Sequence, residues 1–80
     1  MTYKIEFRPA AVRALRKLDP QVQRRVRGAV ALLAENPRPP ASIPLTGRPG
    51  WRLRVGDYRI LYTIRDDILL IVVVGAGAPS

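Results

Sequence analysis

The chain has 80 residues, with 14 Lys and Arg side chains against 6 Asp and Glu, a formal net charge of +8 and a pI near 11.4. A chain of this length predicts one domain, 1–80, and no apolar run approaches the roughly 20 residues of a membrane span, so we expect a cytoplasmic protein. The absence of Cys and His excludes disulfides, nearly every transition-metal site and the commonest general acid or base, and predicts no metal and no cofactor.

The N-terminal half predicts one strand followed by two helices. Alternation over YKIEF, residues 3–7, is typical of a strand. Pro9 suits the first turn of a helix, and apolar residues follow it at helical spacing up to Leu18. Asp19 and Pro20 then favour the start of a second helix, which ends at Asn36 before a proline. The two helices predict a layer that covers one face of a sheet.

The exposed faces of these helices carry many basic side chains. They are Arg13, Arg16, Lys17, Arg24, Arg25 and Arg27. A solvated helical surface is the simpler interpretation, and contact with RNA is the functional alternative. The following segment, residues 36–50, is rich in proline and has no period, which predicts an internal loop and not a domain boundary.

A β-hairpin is predicted over residues 51–62. Apolar residues alternate with polar ones over WRLRV, residues 51–55, and Gly56 and Asp57 follow as a two-residue turn of the kind that begins with Gly. Counting outward from the turn places Arg54 directly opposite Arg59.

The arginines of this hairpin share one face of the predicted sheet. Arg52, Arg54 and Arg59 lie opposite the apolar side, and like charges opposed at about 5 Å destabilise a sheet. Because arginine binds phosphate and carboxylate through planar, paired contacts, a polyanion bound on this face is the simplest compensation.

The last strand is an unbroken apolar run, ILLIVVV, residues 68–74, after a turn at Asp66 and Asp67. A regular pairing from that turn places three apolar side chains on the arginine face, namely Leu70, Val72 and Val74. The sequence therefore predicts a mixed apolar and basic groove that a partner fills.

The chain as far as Val74 resembles the RelE/ParE superfamily of bacterial type II toxins. The resemblance is carried, in this order and spacing, by YKIEF, LRKLD, ENP, LTGRPGWRLRVGDYRILY and DDILLIVVV. It implies an α+β fold, β-α-α-β-β-β, with an antiparallel sheet of about four strands and two N-terminal helices packed on one face.

The resemblance also implies a function. RelE-like members are ribosome-dependent endoribonucleases that inhibit translation by cutting mRNA, without a metal, through attack of the 2′-OH on the adjacent phosphate. By position, the expected catalytic residues are Arg52, Arg54 and Arg59, and the same three with Arg48 are expected to bind RNA. The expected partners are the ribosome, mRNA and a RelB-like antitoxin, whose acidic segment binds Leu61, Leu70, Val72 and Val74.

The final residues depart from the family pattern. Relatives usually continue after the last strand with basic residues and a tyrosine, whereas residues 75–80 read GAGAPS and contain no group that transfers a proton. We therefore expect impaired cleavage, and two alternatives stay open. One is a ParE-type inhibitor of DNA gyrase, and the other is a catalytically inactive, antitoxin-binding homologue.

Overall fold

The computed structural model describes residues 2–76, which form two helices and five strands. In chain order these are β1 (Lys4–Phe7), α1 (Pro9–Arg16), α2 (Pro20–Glu35), β2 (Ile43–Pro44), β3 (Trp51–Val55), β4 (Tyr58–Arg65) and β5 (Ile68–Ala76). Within these residues no helix is long and apolar enough to cross a membrane.

Both helices begin at the prolines that the sequence indicates. Pro9 and Pro20 occupy the first turns, where a missing N–H leaves no hydrogen bond unmade. Asp19 is the N-cap residue of α2, but its carboxylate makes no capping hydrogen bond. The turn between the helices is held instead by Gln23, whose side-chain Nε2 donates to the Leu18 carbonyl at 2.9 Å.

The five strands form one sheet in the order β1-β5-β4-β3-β2. The predicted α+β class and helix positions are confirmed, and two details differ. The two-residue strand β2 adds an edge next to β3, and β1 pairs with β5 in parallel, so the sheet is mixed. β1 can run parallel to β5, although the sequence predicts an antiparallel sheet, because no short turn connects the two strands.

The β3–β4 hairpin has the predicted register. Arg54 pairs with Arg59 and Arg52 pairs with Leu61, across a turn in which Gly56 has φ +61°. The prediction succeeds because a two-residue turn allows a single pairing of the residues on either side of it.

The β4–β5 pair departs from the predicted register at one point. It follows the turn at Asp66 and Asp67 regularly as far as Tyr62, which pairs with Ile71, but Leu61 pairs with Val73. Val72 is therefore an extra residue, a β-bulge that reverses the face of every later residue in β5. The prediction that Val74 shares the arginine face is wrong, since Val74 pairs with Ile60 and lies 2% exposed in the core.

The core lies between the helices and one face of the sheet. Buried side chains of α1 and α2 pack against those of β4 and β5, with Ala11, Val26, Val30, Leu33, Ile60, Tyr62, Leu69 and Ile71 among them. The Tyr62 hydroxyl donates to the Pro37 carbonyl at 2.7 Å and so attaches the loop after α2 to the middle of the sheet. The same loop places Arg38 over the Trp51 ring, 5.7 Å from its centroid.

Candidate functional site

The sheet face opposite the helices, here called the open face, carries the three predicted arginines. Arg52 and Arg54 are exposed on β3 in alternation with residues that pack on the core. Arg59 lies between them and β5, because it pairs with Arg54 on one side and with Gly75 on the other. The structure therefore brings these three side chains onto one surface.

Arg54 and Arg59 differ in their hydrogen bonds. Arg54 is exposed, and its Nε donates to the carbonyl of Gly56 in the hairpin turn at 3.1 Å. The Nε atom of Arg59 is buried and has no hydrogen-bond partner within residues 2–76. A buried donor without an acceptor destabilises a fold by about 1–3 kcal/mol, and more when it belongs to a charged group. Arg59 is therefore the position where a bound anion gains most.

Space for an anion lies beside Arg59. The bulge at Val72 places Gly75, and not Val74, opposite Arg59. A Cβ atom built on Gly75 meets no described atom within 4 Å, so none of residues 2–76 covers this part of β5. Bulges commonly redirect side chains next to functional sites. This bulge places Gly75, which has no side chain, beside the Arg59 guanidinium where a regular register would place Val74.

A second row across the open face is mostly apolar. Ile43, Arg52, Leu61 and Val73 are successive neighbours on β2, β3, β4 and β5. Leu61 is 8% exposed although it lies outside the main core, whereas Ile43 is 50% and Val73 is 37% exposed. This row joins a basic side chain to apolar surface, as the sequence predicts for the groove, although Val73 takes the place opposite Leu61 that the regular register gives to Val72.

The other predicted site residues have mixed outcomes. Leu70 is half-buried on β5 opposite Thr63 and lies on the open face, and the half-buried Val72 is the bulged residue beside Val73. Arg48 is exposed in the loop between β2 and β3, outside the strands that carry the other arginines. The departure from the family pattern falls largely on residues 77–80, which lie outside the described residues.

The sequence gives little sign of two features of this site. Gly75 follows a run of seven apolar residues, and no alternation within that run shows which of its members faces Arg59. Ile43 belongs to a segment that reads as a loop, so its position beside Arg52 follows only from the pairing of β2 with β3.

The open face is suited to binding phosphate. Three guanidinium groups on adjacent strands offer several fixed donors to phosphate oxygens. The attraction between a partly buried donor and an anion becomes stronger when water is excluded. Guanidinium groups stay protonated near neutral pH, so they stabilise negative charge and do not act as general bases. Tyr62 is no alternative, because its hydroxyl is buried in a hydrogen bond and burial raises its pKa from the ordinary value of 10.0.

Comparison with protein families gives one match over most of the chain. Residues 5–78 match the family described as the ParE toxin of the type II toxin–antitoxin system, parDE. A putative RelE-like toxin protein of Escherichia coli is 31% identical over 80 residues, and the alignment covers 96% of this chain and 83% of that protein.

Solved structures of related toxins have the same fold. The RelBE2 toxin–antitoxin complex of Mycobacterium tuberculosis contains a chain that is 29% identical, with a TM-score of 0.85 over 96% of this chain and 100% of that one. The isolated RelE toxin of E. coli gives a TM-score of 0.85 at 25% identity, over 98% of this chain and 87% of that one.

Proposed function

We propose that this chain, which belongs to the RelE/ParE family of type II toxin–antitoxin toxins, inhibits translation in the cytoplasm by cutting ribosome-bound mRNA. The family membership makes it a toxin. The RelE-like activity is favoured by the likeness to RelE structures and by the chemistry of the open face.

The observation that carries this proposal is the opposed pair of Arg54 and Arg59, with the buried Nε of Arg59 lacking a partner within residues 2–76. Each feature destabilises the unbound fold. The like-charge opposition is relieved when a phosphate lies between the guanidinium groups, in the opening over Gly75, and the buried Nε gains an acceptor when the Arg59 side chain turns toward that phosphate. An arrangement that is unfavourable without ligand and favourable with it is characteristic of a binding site for an anion.

The proposed reaction needs charge stabilisation from these residues. The 2′-OH of a nucleotide loses its proton to water and forms a bond to the adjacent phosphorus, the bond to the 5′ oxygen breaks, and that oxygen takes up a proton from water. The products are a 2′,3′-cyclic phosphate and a 5′-OH. Arg59 donates to the equatorial oxygens as negative charge accumulates there, and Arg52 and Arg54 hold the neighbouring phosphate oxygens. None of the three transfers a proton.

The toxin's partner is proposed to be an acidic, amphipathic segment of a cognate antitoxin. The M. tuberculosis relative was solved as a complex of toxin and antitoxin, RelBE2. On this chain the apolar side of such a segment packs on Leu61, Leu70, Val72 and Val73, and its carboxylates pair with the arginines of the open face. Antitoxin and mRNA then compete for the same arginines, which makes the complex inactive.

Inhibition of DNA gyrase is the second candidate. The matched family bears the ParE name, and residues 75–80 contain no basic or tyrosine side chain to complete a nuclease site. A gyrase inhibitor needs binding groups only, as does a catalytically inactive antitoxin-binding homologue.

Two assays on the native chain separate the three candidates. Primer extension on a reporter mRNA in a translating bacterial extract detects cleavage within codons, and a supercoiling assay with purified gyrase detects the alternative. The proposal predicts cleavage that depends on translation, together with unchanged supercoiling. Inhibited supercoiling with intact mRNA would establish the ParE-like function, and no effect in either assay would identify the inactive homologue.

A further inference from the structure

The open face carries opposite charges at two of its corners. Arg54 and Arg59 form the basic corner, next to the turn at the end of the hairpin. Glu6 of β1 is exposed and pairs with Leu70, which in turn pairs with Thr63 of β4. Glu6 therefore lies two strands across the sheet and four residues along β4 from the arginine pair.

Alternation along β1 places the Glu6 carboxylate on the open face. Tyr3 and Phe7 pack against the core on the helix side. Successive side chains of a strand point to opposite faces, so Lys4 and Glu6 point away from the helices. Glu6 is the sole acidic residue within the five strands, so it stands alone on a face whose other charges are positive.

The charge of Glu6 is not cancelled by its surroundings. The next row along the sheet ends in Lys4 and Arg65, and Asp66 and Asp67 in the adjoining turn balance these two cations. Lys4 is two residues from Glu6, roughly 7 Å along the strand, and an exposed pair of this kind contributes little to stability. The corner at Glu6 is therefore negative, and the corner at the arginine pair is positive.

The geometry of the sheet determines the distance between the two corners. Four residues along β4 measure roughly 13 Å, and two strand spacings measure roughly 10 Å. The diagonal from Arg59 to Glu6 is therefore roughly 16 Å long. It crosses β5 near Val73, between the apolar side chains of Leu61 and Leu70. A segment on this diagonal has apolar contacts in its middle and a charge at each end.

A segment on this diagonal is favoured as a helix. The middle of a sheet face offers side chains and no free backbone N–H or C=O groups. An extended segment would therefore leave its own backbone groups unpaired against an apolar surface, whereas a helix satisfies them internally. A helix covers roughly 16 Å in about 11 residues, and residues four, seven and eleven positions after a given one lie on the same side of it.

We propose that Glu6 is a specificity residue for the antitoxin: it pairs with a basic side chain three helical turns away from the carboxylates that meet Arg54 and Arg59. This inference rests on the proposed function for the presence of an antitoxin segment on the open face. A uniformly acidic segment places like charges together at Glu6, and a segment bound in the reverse direction does so at both corners. Glu6 thereby determines which segment binds and in which direction.

The test uses a phage-displayed library of single helices of about 20 residues. Each helix has a fixed acidic residue and apolar residues four and seven positions later, and the residue eleven positions later is randomised together with the outward-facing positions. The library is selected in parallel on the native chain, on Glu6→Lys and on Glu35→Lys. Glu35 is the matched control, because it is an exposed acid at the end of α2, on the other side of the sheet. Circular dichroism melting checks that both variants fold.

The inference predicts that the native chain and Glu35→Lys enrich Lys or Arg at the eleventh position and that Glu6→Lys enriches Asp or Glu. The best peptide from the native selection is then measured by fluorescence anisotropy. It binds Glu6→Lys at least about five-fold more weakly than the native chain, since an attraction becomes a repulsion. Replacing its basic residue by Glu restores binding to Glu6→Lys, and Glu35→Lys stays within about two-fold of the native chain.

Two outcomes would overturn the inference and leave the proposed function standing. One is an equal loss of affinity in Glu6→Lys and Glu35→Lys, which would show an effect of net charge alone. The other is a selection on the native chain without charge preference at the eleventh position, from peptides whose binding is lost in Val73→Asp.

Two further outcomes would overturn the inference together with the proposed antitoxin site. One is a set of selected peptides that bind Val73→Asp as well as they bind the native chain, because such peptides do not lie on the open face. The other is a library that yields no binder on the native chain.

Discussion

Arg54 and Arg59 are paired directly across the β3–β4 hairpin, and only the Nε of Arg54 has a hydrogen-bond partner within residues 2–76. The Arg54 side chain is drawn back toward the turn, whereas the Arg59 donor stays buried and unmatched. If the proposed function holds, Arg59 is the residue whose interactions a ligand completes. Stability and function are then opposed at this position.

The first prediction is that Arg59→Met raises the thermal stability of the unbound chain. Methionine keeps the apolar stem but removes both the like-charge opposition and the buried, unpartnered donor. A gain of about 1 kcal/mol raises the melting temperature of a domain this size by roughly 4–8 °C. Calorimetry measures the shift.

Arg52→Met is the matched control for that change. Arg52 is on the same strand face but pairs with Leu61 instead of an arginine, so we expect little change in melting temperature. A fall in the melting temperature of Arg59→Met would mean that Arg59 stabilises the fold through a contact other than those described above.

The second prediction concerns the opening beside Arg59. Gly75→Val fills the space over β5, which accepts an added Cβ without contact, so we expect little loss of stability and at least a ten-fold lower rate of mRNA cleavage. Gly75→Ala gives a smaller loss in the same direction. Unchanged cleavage by Gly75→Val, with ribosome binding intact, would show that the phosphate does not lie over Gly75.

The third prediction concerns Tyr62. Tyr62→Phe removes the hydroxyl that donates to Pro37 and leaves that carbonyl without its donor, which costs about 1–2 kcal/mol of unfolding free energy. Denaturant unfolding of the two chains measures the difference. The change lies away from the open face, so ribosome binding of the folded protein is expected to stay the same.

Tyr62 also predicts a pH dependence. Burial raises its pKa in the folded chain, while the unfolded chain keeps the ordinary value of 10.0. Above pH 10 the unfolded chain therefore releases a proton that the folded chain retains, and stability decreases as the pH rises toward the folded pKa. Tyr62→Phe should lose stability less steeply over this range. An equal decrease of stability with pH in the native chain and in Tyr62→Phe would show that titratable groups other than Tyr62 cause the effect.

The fourth prediction concerns the antitoxin. Val73→Asp places a carboxylate in the apolar row beside Leu61 and should weaken the complex with the proposed acidic antitoxin by about 2–4 kcal/mol, roughly 30-fold to 1000-fold. Leu32→Asp is the control, because Leu32 is more exposed but lies on α2, away from the open face. Isothermal calorimetry compares the two. A larger loss of affinity in Leu32→Asp would show that the antitoxin binds the helices instead of the open face.

The arginine pair could be predicted from sequence because its geometry is local. A two-residue turn at Gly56 determines the register of the strands on either side, and alternation over residues 51–55 identifies the face. The starts of both helices could also be predicted from the sequence, since proline prefers the first turn of a helix and Pro9 and Pro20 occupy that position.

The part of the site on β5 could not be predicted in the same way. Every residue from 68 to 74 is apolar, so the sequence contains no alternation that a bulge would interrupt. The bulge at Val72 therefore becomes visible only from the pairing with β4. The same pairing shows that Val73 replaces Val72 opposite Leu61 and that Gly75 replaces Val74 opposite Arg59. The parallel pairing of β1 depends on contacts distant in sequence and is equally hidden.

The most direct test of the central claim is the single-turnover rate of mRNA cleavage on programmed 70S ribosomes by Arg59→Ala. Loss of one donor to the developing phosphorane should raise the barrier by about 2–4 kcal/mol and lower the rate roughly 30-fold to 1000-fold. Arg13→Ala, which removes an exposed arginine from α1, should remain within about three-fold of the native rate. Equal rates for Arg59→Ala and the native chain would contradict the assignment of the arginine pair to phosphate.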